Sequence, residues 1–166
     1  LYDENSGGHY LRAQIQKQLG DPQQALADLT RVLEIAPDWA GVHAERGLLY
    51  MDQGEYAAAL LDFEAYLATD PQNIDALHAK ADAQAALEDW EAALATFTAV
   101  LAIDDYDGYA VRRSGDLLYD LQRWDEAVNF YQRYLEMMGD GSEPYIQDRL
   151  TAIEDRAGRD SEETGK

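Results

Sequence analysis

The chain contains no cysteine. This absence excludes disulfide bonds, zinc sites with thiolate ligands and thiol catalysis, and it leaves the cellular compartment open. Long apolar runs are also missing: none approaches the roughly 18–20 residues that a membrane-spanning helix needs, so we expect no membrane insertion. The sequence has no phosphate-binding glycine loop, no Gly-x-Ser-x-Gly and no His-Glu-x-x-His. These absences predict a protein that is not an enzyme and has no cofactor.

Basic residues are scarce, with 13 Lys and Arg against 33 Asp and Glu, which gives a net charge of −20. Such a surface repels nucleic-acid phosphates and anionic lipids, and it argues against nucleic-acid binding. The excess of acid favours solubility, as in salt-tolerant or high-GC organisms. We therefore expect a soluble bacterial protein of the cytoplasm or periplasm. Attraction of a basic partner is the alternative explanation of the charge.

Alanine recurs every 34 residues, and other residue columns keep the same step. Within each unit the apolar positions are three and four residues apart, which is typical of one face of an amphipathic helix. The columns are Ala25, Ala59, Ala93 and Ala127; Leu26, Leu60, Leu94 and Val128; Leu29, Phe63, Phe97 and Tyr131; and Leu33, Leu67, Leu101 and Leu135. An earlier helix of each unit carries its own column of small residues, at Ala13, Gly47, Ala81 and Gly115. The pattern predicts two helices per unit, four times over.

Two helices approach to ~8–10 Å only where small side chains face each other, so we expect the alanine column at a helix crossing. The glycines of the earlier helix, Gly47 and Gly115, occur in the units that carry Tyr66 and Tyr134 in the later helix. We expect ring contact between Tyr66 and Gly47, and between Tyr134 and Gly115, because glycine leaves room for a ring.

Short polar segments predict the helix ends. Asp21 followed by Pro22 is typical of an N-cap and the first helical residue. Residues 104–108 resemble the centre of a calcium loop, but Ile103 and Ser114 stand where its first and last ligands belong, so we expect a capping turn instead. His9 and His43 are one repeat apart, which separates them by ~10 Å in stacked helices and excludes a shared metal site. We expect both histidines to pack at the interface between units.

These residues resemble the tetratricopeptide repeat (TPR) family. The segment 43–71 matches the family pattern most fully, through Gly47, Tyr50, Gly54, Tyr56, Ala59, Phe63 and Pro71. Gln16 and Gln84 replace the first-helix aromatic residue of other units, and the last two units lack the closing proline. The resemblance covers residues 6–139 and implies an all-α, right-handed α-solenoid of helix-turn-helix repeats. An apolar face on residues 143–158 adds a C-terminal capping helix.

The predicted organisation starts with a lead-in that is either disordered or the end of a preceding repeat. The segments are the lead-in, residues 1–5; four repeats, residues 6–39, 40–73, 74–107 and 108–141; a capping helix capped by Ser142, residues 142–158; and a disordered tail, residues 159–166.

The resemblance implies that the first helices line a concave groove, which binds an extended peptide or a partner helix. Apolar Leu48 and Met51, together with tyrosines, would bury a ligand side chain, and aspartates would select a basic neighbour. The Lys and Asn clamp that some TPR proteins use for acidic chaperone tails is missing. The predicted partner-binding residues are Tyr10, Gln14, Lys17, Leu48, Met51, Asp52, His78, Asp82, Tyr109, Arg112, Asp116 and Tyr119.

The sequence therefore predicts a non-catalytic protein–protein interaction module or scaffold, with no metal and no cofactor. Its partner would be a protein or peptide with a basic and apolar segment, and not a nucleic acid. Two alternatives stay open: a regulatory or targeting domain of a larger enzyme, and a self-assembling scaffold that forms homo-oligomers.

Overall fold

The computed structural model describes residues 4–139 and 143–164, and these residues form helices without any strand. The all-α, helix-turn-helix architecture predicted from the 34-residue period is confirmed. None of the described helices is both long enough and apolar enough to cross a membrane. The helices are α1 (Glu4–Leu19), α2 (Pro22–Ile35), α3 (Ala40–Asp52), α4 (Tyr56–Leu67), α5 (Ile74–Ala86), α6 (Trp90–Ile103), α7 (Gly108–Asp120), α8 (Trp124–Met138) and α9 (Pro144–Thr164).

The chain forms two compact units, residues 1–96 and 97–166, with the division inside α6. In the first unit, α1 packs on α2 and α3 packs on α4, while α2 contacts α3 and α4 contacts α5. In the second unit, α7 packs on α8, and α8 contacts α9. Each antiparallel hairpin buries the apolar faces of both of its helices, which neither helix can do alone.

The alanine column lies in the core, as the sequence predicts. Ala25, Ala59, Ala93 and Ala127 have no solvent-exposed surface at all. Around Ala25, the core of the first hairpin also contains Ala13 from α1 and Leu29 from α2. The same cluster continues into Val42 of α3, so one apolar core joins the first hairpin to the next helix.

The turn inside each hairpin requires a left-handed backbone at equivalent positions. Gly20 and Gly54 have φ of 75° and 74°, and Glu88 and Gln122 take the same conformation with φ of 61° and 59°. Glycine tolerates this conformation without steric cost, whereas Glu88 and Gln122 are strained there. The geometry is therefore set by the hairpin, and not by the residue at the turn.

Polar residues cap the helices where the sequence predicts them. The side chain of Asp21 accepts a hydrogen bond of 3.1 Å from the backbone N–H of Gln24, with Pro22 as the first residue of α2. Asp107 accepts a bond of 2.7 Å from the N–H of Ala110 at the start of α7. The predicted capping turn at residues 104–108 is confirmed.

The predicted ring contacts of Tyr66 and Tyr134 with the glycines are wrong. A methyl group built on Gly47 would lie 2.9 Å from Cε1 of Phe63, and one built on Gly115 would lie 2.8 Å from Cδ1 of Tyr131. In an antiparallel hairpin the turn pairs residues at equal distances on its two sides. The turn near residue 55 therefore brings position 63 opposite Gly47, while position 66 lies nearly one helical turn farther on.

The chain ends differ from the predicted boundaries. α1 begins at Glu4, inside the predicted lead-in, and α9 continues to Thr164, beyond residue 158. Gly158 marked the expected end, but one glycine lowers helix stability by only ~1 kcal/mol and does not by itself stop a helix. Residues 1–3 of the predicted lead-in and Ser142, the predicted last cap, lie outside the described residues.

We predict that Gly47→Ala destabilises the protein by about 1 kcal/mol or more, because the added methyl meets the buried ring of Phe63. Chemical denaturation followed by circular dichroism measures the change. Gly7→Ala is the matched control, since nothing lies within 4 Å of a methyl at this helical position. It should stabilise the protein by ~0.5–1 kcal/mol. Stabilisation by both substitutions would contradict the close contact.

Ala93→Leu should cost roughly 1–3 kcal/mol of unfolding free energy, because Ala93 is fully buried and the larger side chain overpacks the core. Ala95→Leu places the same side chain at an exposed position of the same helix and should change stability by less than ~0.5 kcal/mol. The same denaturation experiment compares the two. Equal stability of both variants would refute the crossing-point interpretation of the alanine column.

Candidate functional site

Three of the predicted partner-binding residues of α1 converge on one carboxylate of α3. The hydroxyl of Tyr10 and the amide of Gln14 each donate a hydrogen bond of 2.5 Å to Glu45, and the ammonium of Lys17 lies 3.0 Å from it. The hydrogen bond to Glu45 raises the pKa of Tyr10 to about 12. Burial alone would raise the pKa of Glu45, but its three donors together lower it. This cluster links α1 to α3. Because Glu45 already accepts from three donors, few of its hydrogen-bonding positions remain for a ligand.

An apolar cavity of about 210 Å³ lies between α3 and α5 in the first unit. Leu48 stands at its edge with 53% of its surface exposed, and the buried ring of Phe63 lies among its lining residues. The exposed Asp75 adds a carboxylate to the lining. The full lining is Ala44, Leu48, Phe63, Tyr66, Asn73, Asp75, Ala76 and Ala79.

Of the residues that line this cavity, only Leu48 is among the predicted partner-binding residues. Tyr66 and Asn73 come from α4 and the turn after it, and the amide of Asn73 donates a hydrogen bond of 3.1 Å to the hydroxyl of Tyr66. Asn73 also caps α5 by accepting from the N–H of Ala76 at 3.0 Å. The residue pattern of the first helices does not predict Tyr66 and Asn73, because these side chains reach the cavity from α4 and from the turn after it.

The other predicted residues of the first unit lie outside the cavity lining. Met51 is half-buried and Asp52 is exposed, both in the last turn of α3. His78 and Asp82 lie on α5 and are half-buried. The structure therefore brings Leu48 to the cavity and leaves Met51 about one helical turn away from it.

Asp116, predicted to face a ligand, is buried in the second unit. It accepts hydrogen bonds of 3.1 Å from Tyr131, from Tyr145 of α9 and from Arg112. Burial and the charge of Asp116 raise the pKa of Tyr131. The carboxylate holds α7, α8 and α9 together, so it offers almost no surface to a partner.

The remaining predicted residues of the second unit are aromatic and arginine side chains that stack on one another. The guanidinium of Arg112 lies 5.7 Å from the ring centroid of Tyr109, which is 40% exposed. Arg149 of α9 lies 4.0 Å from the ring centroid of Tyr119, and Trp124 contacts the same ring edge-on at 5.1 Å. Tyr119 is thus covered by α9, whereas Tyr109 stays accessible.

Both repeat-spaced histidines belong to a second feature that the sequence analysis did not find. His9 and the guanidinium of Arg12 bind the buried Asp28, with Nδ1 of the histidine 2.9 Å and Nε of the arginine 2.6 Å from its oxygens. His43 and Arg46 bind the buried Asp62 in the same way, at 2.8 Å each. The available signal was His-x-x-Arg followed by Asp at the same distance in two successive units.

These clusters link the two helices of one hairpin. His43 also contacts the preceding repeat, as expected, because its Nε2 lies 2.9 Å from the carbonyl oxygen of Pro37 between α2 and α3. Hydrogen bonds from Arg12 lower the pKa of Asp28, in line with its role as a buried anion that requires its partners. Among the residues that the structure describes, no three metal-ligating side chains come together. The arrangement is suited to fixing helices, and it positions no nucleophile next to a base.

Family models described as tetratricopeptide repeat match residues 10–74, 50–107 and 110–145 of this chain. Among curated proteins, DnaJ homolog subfamily C member 3 of Rattus norvegicus is 33% identical over 85 residues. The match covers 51% of this chain and 17% of that protein, so the chain spans only a small part of the relative's length.

Solved structures share the fold. A crystal structure of the MamA protein aligns over 93% of this chain and 84% of its own, with a TM-score of 0.83 and 16% identity. The first TPR domain of Spaghetti (RPAP3), bound to an HSP90 peptide, aligns over 72% of this chain and 93% of its own. Its TM-score is 0.64 and its identity is 25%.

The cluster at Glu45 predicts a stability change at alkaline pH. The folded pKa of Tyr10, about 12, lies above the ordinary value near 10. The protonated phenol therefore stabilises the folded state below pH ~10, and this contribution disappears as the pH rises through 12. Tyr10→Phe should cost about 1 kcal/mol at pH 8, the typical worth of such a hydrogen bond, and nearly nothing at pH 12.

Urea denaturation at several pH values measures the difference between wild type and Tyr10→Phe. Tyr106→Phe is the control, because the side chain of Tyr106 is 79% exposed. It should leave the free energy of unfolding unchanged between pH 8 and pH 10. A constant cost of Tyr10→Phe from pH 8 to pH 12 would contradict the role assigned to its hydroxyl.

Proposed function

Because the chain belongs to the tetratricopeptide repeat family, we propose that it is a non-catalytic interaction module that binds an extended peptide or partner helix on its first helices. The observation that carries this proposal is the apolar cavity between α3 and α5, with Leu48 exposed at its edge. Burial of a ligand side chain there would remove the exposed apolar surface of Leu48 from water, which supplies the driving force.

The cavity size favours a single side chain as its occupant. Small-molecule sites usually measure ~300–1,000 Å³ and enclose most of their ligand, whereas this cavity holds about 210 Å³ and is open to solvent. Phe63 and Tyr66 supply aromatic surface, and Ala44 and Ala79 contribute only small side chains to the lining. A leucine, isoleucine or methionine of a peptide would fill it, while the peptide backbone runs across α3 and α5.

The charge around the cavity favours a basic residue beside that apolar side chain. Asp75 lies in the lining and the exposed Asp52 lies on α3. The cations of this region already have acidic partners: Arg46 binds Asp62, and Lys80 lies 3.6 Å from Glu64. With a net charge of −20, the chain would also attract a basic segment over a distance and speed its association.

The relative solved with an HSP90 peptide supports peptide binding by this fold, but the chemistry of the ligand differs. That peptide, SRMEEVD, carries three acidic side chains among its last four residues. The first helices of this chain place Tyr10, Ala44, His78 and Arg112 at equivalent positions, and none of these is lysine or asparagine. We therefore propose a basic, apolar segment as the ligand and not an acidic tail.

A regulatory or targeting role inside a larger protein is the second candidate. The small share of the curated relative that the chain matches favours it, since the matching part of that relative is only one portion of a longer protein. Binding at the cavity serves either role. Self-association is the third candidate, and exposed aliphatic side chains on α1 favour it.

The double substitution Leu48→Glu, Met51→Glu should abolish binding and leave folding intact. Leu48 is exposed and Met51 is half-buried, so neither new side chain enters the core, but the carboxylate introduced at position 48 would place a charge at the edge of the apolar cavity. The probes are fluorescein-labelled 12-residue peptides with one central leucine flanked either by lysines or by glutamates. Fluorescence polarisation should give at least ten-fold tighter binding of the lysine peptide at 50 mM salt than at 500 mM.

Leu61→Glu is the matched control, because Leu61 is 70% exposed on α4 and lies outside the cavity lining. It should bind the lysine peptide as the wild type does. Equal binding by the double variant, or equal loss in Leu61→Glu, would place the ligand elsewhere. Preference for the glutamate peptide would refute the charge argument.

A further inference from the structure

α1 presents an apolar stripe that no described residue covers. Leu11, Ile15 and Leu19 are 63%, 49% and 77% exposed. Their spacing of four residues places them on one face of the helix, one turn apart. A helix face that stays in contact with water usually carries polar side chains. The apolar side chains on this face of α1 therefore indicate contact with another surface.

The equivalent position is buried in every later hairpin. One, two and three repeats after Ile15 stand Leu49, Ala83 and Leu117, which are all buried. On α3, Leu49 lies in the same apolar cluster as Val32 and Leu33 of the preceding helix α2. The face of α3 that packs against the preceding helix α2 thus corresponds to the exposed face of α1. A helix is therefore the kind of surface that fits the stripe on α1.

The charge pattern of α1 indicates which helix this is. Residues 5–20 contain no Asp or Glu, although the whole chain has 33. The Arg and Lys of α1 bind acidic residues of neighbouring helices, Arg12 binding Asp28 and Lys17 binding Glu45. Two copies of a chain with a net charge of −20 repel each other, and they can approach most easily through the part of α1 that carries no acidic residue.

We propose that two copies of this chain associate through α1, as an antiparallel pair with a two-fold axis near Ile15. Such an axis places Ile15 against its own copy and Leu11 against Leu19 of the other chain. Side chains four residues apart form a ridge along a helix, and two such ridges pack well against each other when both helices contribute one. The symmetry also places Arg12 opposite Gln18, so no like charges meet.

A head-to-tail contact between α1 and α9 fits less well. In the described part of α9, Ile146 and Ile153 are buried against the chain itself. Tyr145 is its one large apolar side chain with substantial exposure there, and the exposed Gln147 and Asp148 that follow it are polar and charged. An outer face of that kind does not match three exposed aliphatic side chains.

Sedimentation equilibrium across a concentration series tests the association. The mass should rise from 18.6 kDa towards twice that value, and higher salt should strengthen the dimer by screening repulsion. Leu11→Ser together with Ile15→Ser should raise the dissociation constant at least ten-fold without loss of helix content. Leu61→Ser, at an equally exposed leucine of α4, should leave it unchanged.

Cysteine substitution tests the two-fold geometry, because the chain has no cysteine of its own. Ile15→Cys should oxidise to a disulfide-linked dimer, since the two-fold axis brings both thiols together. Leu11→Cys and Leu19→Cys should cross-link with each other in a mixture more readily than either does alone. Leu61→Cys is the control and should stay monomeric in the dilute protein.

Several outcomes would overturn the proposal. A wild type that remains monomeric at millimolar concentration and high salt would show that a second copy does not cover the stripe. Equal weakening by Leu61→Ser would remove the assignment to α1. A dimer in which Ile15→Cys does not cross-link would exclude the two-fold arrangement. Loss of the dimer in the Leu48→Glu, Met51→Glu variant would place the contact in the cavity region.

Discussion

Close approach of the two helices in each hairpin is the constraint on which the rest of the structure depends. It requires a residue without a bulky side chain on both helices, which Ala25 and Ala13 supply in the first hairpin. Where the first helix carries Gly47 or Gly115, the ring of the facing residue lies within 3 Å of where a methyl group would stand. The hairpin can then bury its apolar faces, and the first hairpin can share its core with the helix that follows.

That packing determines what is left for recognition. The inward faces of the helices are buried in the core. On the outward faces, Leu48 of α3 lies beside the cavity, and α1 exposes an aliphatic stripe to water. The polar residues that connect helices, Glu45 in the first unit and Asp116 in the second, are already occupied by tyrosines and cations. We therefore propose that apolar surface and unneutralised acid are the features a partner would recognise.

The fold was predictable from the sequence because a 34-residue period repeats the same steric requirement, as the buried column at Ala25, Ala59, Ala93 and Ala127 shows. The site was predictable only in part, because its residues are defined by distances between helices. Asp116 and Glu45 have the same chemistry as a surface acid, and only the structure shows their partners. The predicted contact between Tyr66 and Gly47 was wrong because the position of the turn decides which residues of the two helices face each other. It places Phe63, and not Tyr66, opposite Gly47.

A double-mutant cycle on Gly47 and Phe63 tests the central constraint most directly. Leucine fills the position of Phe63 in the first hairpin, where the small residue is alanine, as in Ala13 with Leu29. Unfolding free energies of Gly47→Ala, Phe63→Leu and the double variant should show that the second change removes the cost of the first, with a coupling of about 1 kcal/mol or more. Additive costs would contradict the account, because they would mean that the two residues do not compete for the same space.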